Sequence, residues 1–491
     1  MRTHAFAALS LALALVATRS FAADPPEPAP KAPERTNTAE QREGRIMPRA
    51  GGWTAETAAS RAHTSSLDVA AKREAMRAAA AKADQALIQF LPRLTGTARY
   101  TRLSDISAPS GGFTIVSAVG PDGRPVQPGP VPNNSILVAS GFRFPVVLDN
   151  WSFQASLSVP LSDYLFRASP ALSAAHHGED AARLERVAAE AKAKADAKVA
   201  FYDWVKALGQ REVLAQQVEV ATERRRDAEA LFKVGKASKA DVLGADAALA
   251  QGKLAEDQAE ELVGLAEANL RMLTQTPDGE RIGLGEDVTV ALPPTSVDIA
   301  ALRQEAVAAR PDLRALGVTE EALVQSAKAV RASQLPRLDA FGNLVHSNPN
   351  QRYQPLEQKF HTTWDVGLQL SWSPNDAFAG RAQGAELDAN AAKLRAERAR
   401  ARDAVMVEVT RAALAVRTAD ASVESTALGV AAATEAFRVR RELYRAGQGT
   451  SLELSDAEAN LFRAKLSAVA ARIEQRISRI RLDHATGRDT K

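Results

Sequence analysis

The chain has 491 residues, 45% of them hydrophobic, so it can bury a large core and is not a disordered protein. Its 62 Lys and Arg nearly balance 59 Asp and Glu with the signs interspersed, which argues against a nucleic-acid partner. The sequence contains no cysteine, so we expect no disulfide, no thiolate metal site and no N-terminal lipid anchor.

The N-terminus has the pattern of a secretory signal peptide. Arg2 precedes a short apolar run, and a small-residue site follows at Ser20-Phe21-Ala22. We therefore predict a signal peptide over residues 1–22 and a Pro-rich linker over 23–50, with the folded chain beginning near Trp53. No later segment reaches the roughly 18 uncharged apolar residues of a transmembrane helix.

A duplication organises the rest of the chain. The segment LPRL occurs at 91–94 and 335–338, and VGKASKADVL at 234–243 matches AGQGTSLEL at 446–454. We predict a first repeat over 51–298 and a second over 299–491, each with a β-hairpin followed by a long helical hairpin. The β-hairpins are placed at about 93–160 and 337–373, the helical hairpins at about 170–274 and 381–484, and their tips at 234–238 and 446–450.

The segments between these landmarks are rich in Ala, Glu, Lys, Arg and Leu and almost free of proline, which predicts helices. The predicted helices span 55–90, 170–232, 239–274, 299–334, 381–445 and 451–484. At about 1.5 Å per residue, the second would be about 95 Å long, too long for a compact globule. The predicted helices over 55–90 and 239–274, laid end to end, would match the length of one long helix.

The strands of the hairpins alternate apolar and small polar residues. Such strands, about ten residues long with an aromatic at one end, suit a tilted membrane strand with lipid on one face. We predict lipid-facing side chains at Trp151, Phe153, Leu157, Trp364, Val366, Leu368, Leu370 and Trp372. The strand at 338–345 is ambiguous, because Phe341 and Val345 fall on the face of polar residues.

A single such strand, taken alone, favours a soluble β-sandwich that has one wet face, but its context reverses this interpretation. Helices this long cannot cover the apolar faces of only four strands, and an open sheet edge in lipid leaves backbone groups unpaired. We therefore expect the strands to pair with those of other copies. Two copies would give eight strands and three would give twelve, and spacing alone does not decide between them.

With its duplicated order, its LPRL segments and its two glycine turns, the chain resembles the TolC-like outer-membrane efflux proteins from Trp53 to about Gly487. The resemblance implies a mixed, mainly α fold with a small β part. In that fold a homotrimer forms a 12-stranded β-barrel in the outer membrane, continued by a 12-helix tunnel in the periplasm. It also implies a passive exit duct for tripartite efflux or type I secretion, opened by docking of a periplasmic adaptor and an inner-membrane pump.

The resemblance also assigns roles to residues at the two tips. Adaptor docking is implied at Val234, Gly235, Lys236, Ala237, Ala446, Gly447, Gln448 and Gly449. A periplasmic gate is implied at Glu453, Asp456, Tyr444 and Asp241. A spacing of three places the carboxylates of Glu453 and Asp456 on one helix face, so threefold symmetry would form two acidic rings that favour cations. The chain departs from the family at Gly449, where some members carry a basic latch residue.

Other patterns give no sign of catalysis. His176 and His177 have no third ligand at metal-site spacing, and no Ser, His and Asp set suggests a nucleophile. We expect no enzyme activity, no cofactor and no metal site, and we expect the basic run 224–226 to be a solvated helix face. The alternative is a soluble periplasmic coiled-coil adaptor or scaffold, which explains the signal peptide, helices and repeat but not the two alternating hairpins.

Overall fold

The computed structural model describes residues 48, 51–105, 114–119, 121–124, 136–141, 147–290, 292–354 and 356–490. The predicted signal peptide and nearly all of the predicted linker lie outside these ranges. The fold is mainly helical with a small sheet. In the first half, the main elements are α1 (Ala55–Ser65), α2 (Leu67–Ile88), β1 (Arg93–Arg102), β2 (Thr114–Val119), β3 (Ile136–Gly141), β4 (Asp149–Val159), α3 (Ser169–Lys233) and α4 (Lys239–Thr274). A short helical turn, Leu161–Asp163, and a π-helical turn, Tyr164–Ala168, lead into α3.

The second half repeats this order without the β2–β3 hairpin. Its elements are α5 (Ile299–Ala309), α6 (Pro311–Arg331), β5 (Arg337–Asn348), β6 (His361–Ser371), α7 (Pro374–Arg445) and α8 (Ser451–Thr486). Helix α3 has 65 residues and α7 has 72, so each is about 100 Å long. None of the helices in the described part of the chain is both long and apolar enough to cross a membrane.

The expected single helices over 55–90 and 299–334 are wrong, since each is broken into two. Ser66 ends α1 in an extended conformation, and its hydroxyl accepts a hydrogen bond from the backbone N–H of Val69 in α2. Arg310 makes the second break because a residue before proline, here Pro311, disfavours the helical conformation. Helix α7 also begins before the expected residue 381, at Pro374, where Ser373 caps it.

The main sheet is antiparallel, with strand order β1-β4-β5-β6. Its register settles the ambiguity of β5. Leu157 pairs with Gly342 and Trp364 with Leu344, so even-numbered β5 residues share the apolar face. Phe341 therefore lies on the polar face, opposite Gly367, and a Cβ at Gly367 would lie 2.8 Å from the Phe341 ring. The aromatic ring covers the space that the glycine leaves open.

The helices pack side by side. In the part of the chain that leads to the tips, α4 packs against α3, α3 against α8, and α8 against α7. Nearer the sheet, α2 packs against α3, α3 against α6, and α6 against α7. One core lies where α1, α3, α4 and α8 meet, with Phe201, Trp204 and Ile477 fully or nearly fully buried. A second joins α5, α7 and α8 around Val409 and Val416.

Candidate gate and docking tips

Both helical hairpins turn through a glycine with positive φ. Gly235 has a φ of 71° and Gly447 a φ of 77°, a conformation that L side chains rarely adopt. The backbone N–H of Lys236 donates to the carbonyl of Leu231, and that of Gln448 donates to the carbonyl of Leu443, each at 2.9 Å. These bonds satisfy the last carbonyls of α3 and α7, so each long helix ends in a tight, defined turn.

The helix that follows each turn begins with a capping box. At the first tip (residues 234–238), the backbone N–H of Asp241 donates to the Ser238 hydroxyl, and that of Ser238 donates to the Asp241 carboxylate at 2.8 Å. At the second tip (residues 446–450), Thr450 and Glu453 form the same reciprocal pair. These bonds hold the pKa of Asp241 below its ordinary value, mainly through the N–H of Ser238.

The two carboxylates expected to form acidic rings have different surroundings. Glu453 is capped by Thr450 and also pairs with Arg440 of α7, 3.3 Å away. Asp456 is exposed one turn further along α8. Glu453 is therefore partly neutralised within its own hairpin, and Asp456 offers the more open carboxylate.

Tyr444 is buried at the end of α7, among Phe437, Leu454 and Leu461. Burial raises the pKa of its hydroxyl, and the negative charge of Asp241 raises it further. The structure therefore brings Tyr444 and Asp241, which lie in different halves of the sequence, into one electrostatic neighbourhood.

Gly449 is held close to the backbone of the preceding helix. Its N–H donates to the carbonyl of Leu443 at 3.1 Å, and a Cβ built on it would lie 3.1 Å from the nitrogen of Tyr444. A side chain at this position would require its neighbours in the turn to shift by a few tenths of an ångström.

The expectation that residues 224–226 form a solvated face is wrong for Arg224. Its guanidinium is buried between the hairpins and donates to the carboxylate of Glu458 at 3.1 Å, with side chains only 9% and 6% exposed. Arg225, by contrast, makes exposed pairs with Glu229 and Asp246.

The signal for the buried pair was present in the sequence. Arg224 lies four residues from Val220 and from Ala228, and Glu458 lies four from Leu454 and three from Leu461. Each charge therefore stands in an apolar helical stripe, where a charge needs a buried partner.

Two further ion pairs flank this one along α3. Asp227 pairs with Arg445 at 2.9 Å, and Glu223 pairs with Arg441 at 3.3 Å. Both pairs are partly exposed. Together with the buried pair, they join the last turns of α3 to the second hairpin.

At the opposite end of the helices, the sheet exposes its apolar face. The large apolar side chains predicted to face lipid are 44–72% exposed in a single chain. They are Trp151, Phe153 and Leu157 in β4 and Trp364, Val366, Leu368 and Leu370 in β6. Trp372 follows the end of β6, and its indole N–H donates to the carbonyl of Gln334 at 3.2 Å. The alternating small polar residues of β4 are less exposed than their apolar neighbours.

The histidine pair of the sequence lies within α3. His176 is 3.9 Å from Glu179, and His177 is 3.7 Å from Glu321 of α6. Within the described ranges, the structure contains no cluster of acidic and histidine side chains that would hold a metal ion.

Comparisons with known proteins agree on the fold. The family model described as "Outer membrane efflux protein" matches residues 58–275 and 302–488. The solved outer-membrane channel OprN is 19% identical with a TM-score of 0.69, over 88% of this chain and 89% of that one. A search of curated proteins gives no significant match.

Two further channels have the same overall fold. The Campylobacter jejuni CmeC outer membrane channel is 16% identical with a TM-score of 0.70, over 90% of this chain and 89% of that one. The Vibrio cholerae outer membrane protein VceC is 16% identical with a TM-score of 0.69, over 88% of this chain and 96% of that one.

Proposed function

Since the chain belongs to the outer membrane efflux protein family, we propose that three copies form a closed exit duct across the outer membrane and the periplasm. The duct is passive, and it opens at the tips when a periplasmic adaptor and an inner-membrane pump dock. The same architecture serves tripartite efflux and type I secretion.

The observation that carries this proposal is that a single chain has two open edges in both of its layers. In the sheet, β1 and β6 are the edge strands, and neither can stay unpaired in lipid because no water satisfies its backbone groups. Pairing β6 of one copy with β1 of the next, around a closed ring, removes both edges of the main sheet. Four strands per chain in the main sheet and three copies give the twelve-stranded barrel that the family resemblance implies.

The helical layer has matching edges. Its outer helices near the tips are α4 and α7, and each exposes an apolar stripe along its length. The α4 stripe consists of Leu243, Leu254, Leu265 and Met272, and the α7 stripe of Val407, Leu414, Leu428 and Val439. Spacings of seven, eleven and fourteen residues keep each set on one helix face. Such stripes in a helix surrounded by water call for a partner helix.

The edges are heterologous, since the first half supplies β1 and α4 and the second half supplies β6 and α7. Contacts of this kind generate a ring when the rotation closes. The apolar sheet face then points to lipid and the face with Ser152, Gln154 and Asn343 lines a water-filled lumen. A soluble scaffold would leave the apolar sheet face and both sets of edges without a role.

The tips lie at the end of the chain's helical hairpins remote from the sheet, and this position supports a role in meeting an adaptor. We assign docking to the two glycine turns and the entrance to Glu453 and Asp456. Threefold symmetry repeats the exposed Asp456 carboxylate around the axis, and such a ring favours cations.

The test is ion selectivity in planar bilayers. We expect the wild-type oligomer to conduct with a preference for cations, and Asp456→Ala to reduce this preference more than Glu453→Ala, because Arg440 already offsets the charge of Glu453. Glu74→Ala, which removes an exposed acid on α2, is the matched control and should leave selectivity unchanged. Unchanged selectivity in Asp456→Ala would contradict the ring, and absence of any conductance in the wild type would contradict the duct.

A further inference from the structure

We propose that the upper end of the helical tunnel, directly below the sheet, is a binding site for multivalent organic anions. Lys82 and Arg167 of each copy supply its positive charge. This inference rests on the proposed function, because it concerns what the lumen of the proposed duct binds. It names organic anions as a class of solute that the duct favours.

The site is a cavity of about 800 Å³ that four helices share, here called the neck cavity. Helix α2 packs against α3, α3 against α6, and α6 against α7, so the four helices form a row. A single space bounded by all four members of a row lies on the concave side of that row, and in a closed ring the concave side faces the axis. The residues that line the neck cavity include Lys82, Gln89, Arg167, Val330, Asp376 and Gln383.

The opposite face of the same helices is apolar. Two residues along a helix correspond to about 200° of rotation, so Leu165 points away from Arg167 and Phe378 points away from Asp376. Leu165 and Phe378 are each 72% exposed in a single chain. Apolar side chains outside and charged side chains inside continue the pattern of the sheet, whose apolar face we assign to lipid. The neck cavity therefore faces the lumen.

The two cationic side chains of the neck cavity are exposed, and within the described ranges neither has an ion-pair partner. Asp163, one helical turn before Arg167, pairs with Arg337 instead, at 3.7 Å. No acidic residue lies three or four positions from Lys82 on α2, where a helical neighbour would pair with it. Both positive charges are therefore available to a ligand.

The neck cavity has an excess of positive charge. In each chain Lys82 and Arg167 outnumber the one carboxylate of the lining, that of Asp376. Threefold repetition brings these charges together around the axis, and a cleft lined by an excess of one sign concentrates ions of the opposite sign. A guanidinium also binds a carboxylate through two parallel hydrogen bonds. An anion with several carboxylates contacts the cations of more than one copy at once, so multivalent anions bind more tightly than monovalent ones.

The acidic residues at the tips do not cancel this charge. Arg167 precedes the first residue of α3, and the first tip follows its last residue, so a helix of 65 residues separates them. That helix is about 100 Å long, whereas salt screens charges over about 8 Å at physiological ionic strength. The tips and the neck cavity therefore act on separate stretches of the lumen.

The experiment measures binding of citrate to the purified oligomer in detergent, by isothermal titration calorimetry at low ionic strength. We expect Arg167→Gln to weaken citrate binding at least about tenfold, because one of the two cations that each copy contributes is lost. Arg167→Gln combined with Lys82→Gln should abolish binding. Arg167→Lys keeps the charge and should bind citrate within about threefold of the wild type.

The matched control is Arg73→Gln. Arg73 is an exposed cation of α2, the helix that carries Lys82, and it lies nine residues before Lys82. Nine residues are about two and a half helical turns, so Arg73 lies on the face of α2 opposite Lys82. The variant loses the same charge from the outside of the tunnel and should bind citrate as the wild type does.

The outcomes separate this inference from the proposed function. If the wild-type oligomer does not bind citrate, or if the double glutamine variant binds it as tightly as the wild type, the anion site is wrong, while a native mass of three chains still supports the duct. If Arg73→Gln weakens binding as much as Arg167→Gln does, net charge explains the effect and the site is wrong. If Arg167→Gln does not assemble, Lys82→Gln alone decides, and wild-type affinity in that variant overturns the site. If the wild type itself does not form a three-copy assembly, the duct and the anion site both fail.

Discussion

His484, near the C-terminal end of α8, is a residue whose protonation is linked to stability. Its Nδ1 lies 2.7 Å from the carboxylate of Asp489, and the side chain is 30% exposed. The hydrogen bond to Asp489 raises the pKa of His484, whereas burial and the facing charge of Arg310 lower it and Glu408 raises it. The imidazolium thus helps to fasten the end of α8 to the final turn of the described chain.

The raised pKa fixes the direction of the pH dependence. The contribution of His484 to folding is complete below its unfolded pKa of about 6.5 and is lost as the pH rises through the higher folded value. We expect thermal unfolding of the wild type to shift to lower temperature as the pH rises above about 6.5, and His484→Gln to remove that part of the shift. At low pH the variant should be about 1 kcal/mol less stable.

His176→Gln is the control for this measurement, because His176 is more exposed and lies 3.9 Å from its nearest acid. It should keep the pH dependence of the wild type. If the wild type and His484→Gln show the same slope of unfolding temperature against pH, protonation of His484 does not contribute to the stability of the folded chain.

The role of a residue was predictable from the sequence where the backbone conformation at that position is accessible to one residue type. Gly235 and Gly447 were placed in turns, and both have the positive φ that glycine permits. Arg224 was misjudged because its two charged neighbours suggested a solvated face, although its own position falls within an apolar stripe. The identity of its partner, Glu458, depends on how the two halves pack, and no local pattern contains that information.

At the scale of the elements, the capping boxes define where the second helix of each hairpin begins. Ser238 and Asp241 satisfy each other's backbone N–H at the start of α4. We expect Ser238→Ala to destabilise the first turn of α4 by about 1 kcal/mol, because one backbone donor then loses its acceptor. Hydrogen exchange of the amides of residues 240–242 should become faster while the rest of α4 is unchanged.

Ser60→Ala is the comparison for that variant, since Ser60 lies within α1 and its hydroxyl donates only to the carbonyl of Thr57. It should leave exchange at the first tip unaltered. Unchanged exchange at residues 240–242 in Ser238→Ala would mean that packing, and not the cap, holds this turn.

Strands and long helices were predictable because each follows a repeating pattern along the chain. Alternation located β4 and β6, and the lack of proline located α3 and α7. The breaks at Ser66 and Arg310 were missed because the flanking segments are rich in alanine. Local signals were present at the first break, since His63, Thr64 and Ser65 are weak helix formers and Ser66 is a favoured N-cap residue. The proline at 311 was an available signal. Which residues of β5 lie on the apolar face could be assigned only from the register of β5 with β4 and β6.

At the scale of the whole molecule, the apolar stripes of α4 and α7 should hold neighbouring copies together. Leu428 is exposed in the middle of the α7 stripe, and we propose that it is buried against α4 of the next copy. Leu428→Glu should weaken each such contact by about 2 kcal/mol or more, because an apolar group is lost and a charge is desolvated. Extraction in mild detergent should then yield single chains.

Val290→Glu places the same charge on an exposed apolar residue of the segment between the halves, outside both stripes. It should assemble like the wild type. Equal assembly of Leu428→Glu and the wild type would contradict the assignment of the α7 stripe to the contact between copies.

The most direct measurement of the central claim is the native mass of the wild-type protein extracted from carbonate-washed outer membranes. Closure of both the sheet and the helical layer by copies of this chain predicts a single species with the mass of three chains. A protein that carbonate releases from the membrane, or one whose native mass is that of one chain or two, would contradict the closed three-copy duct.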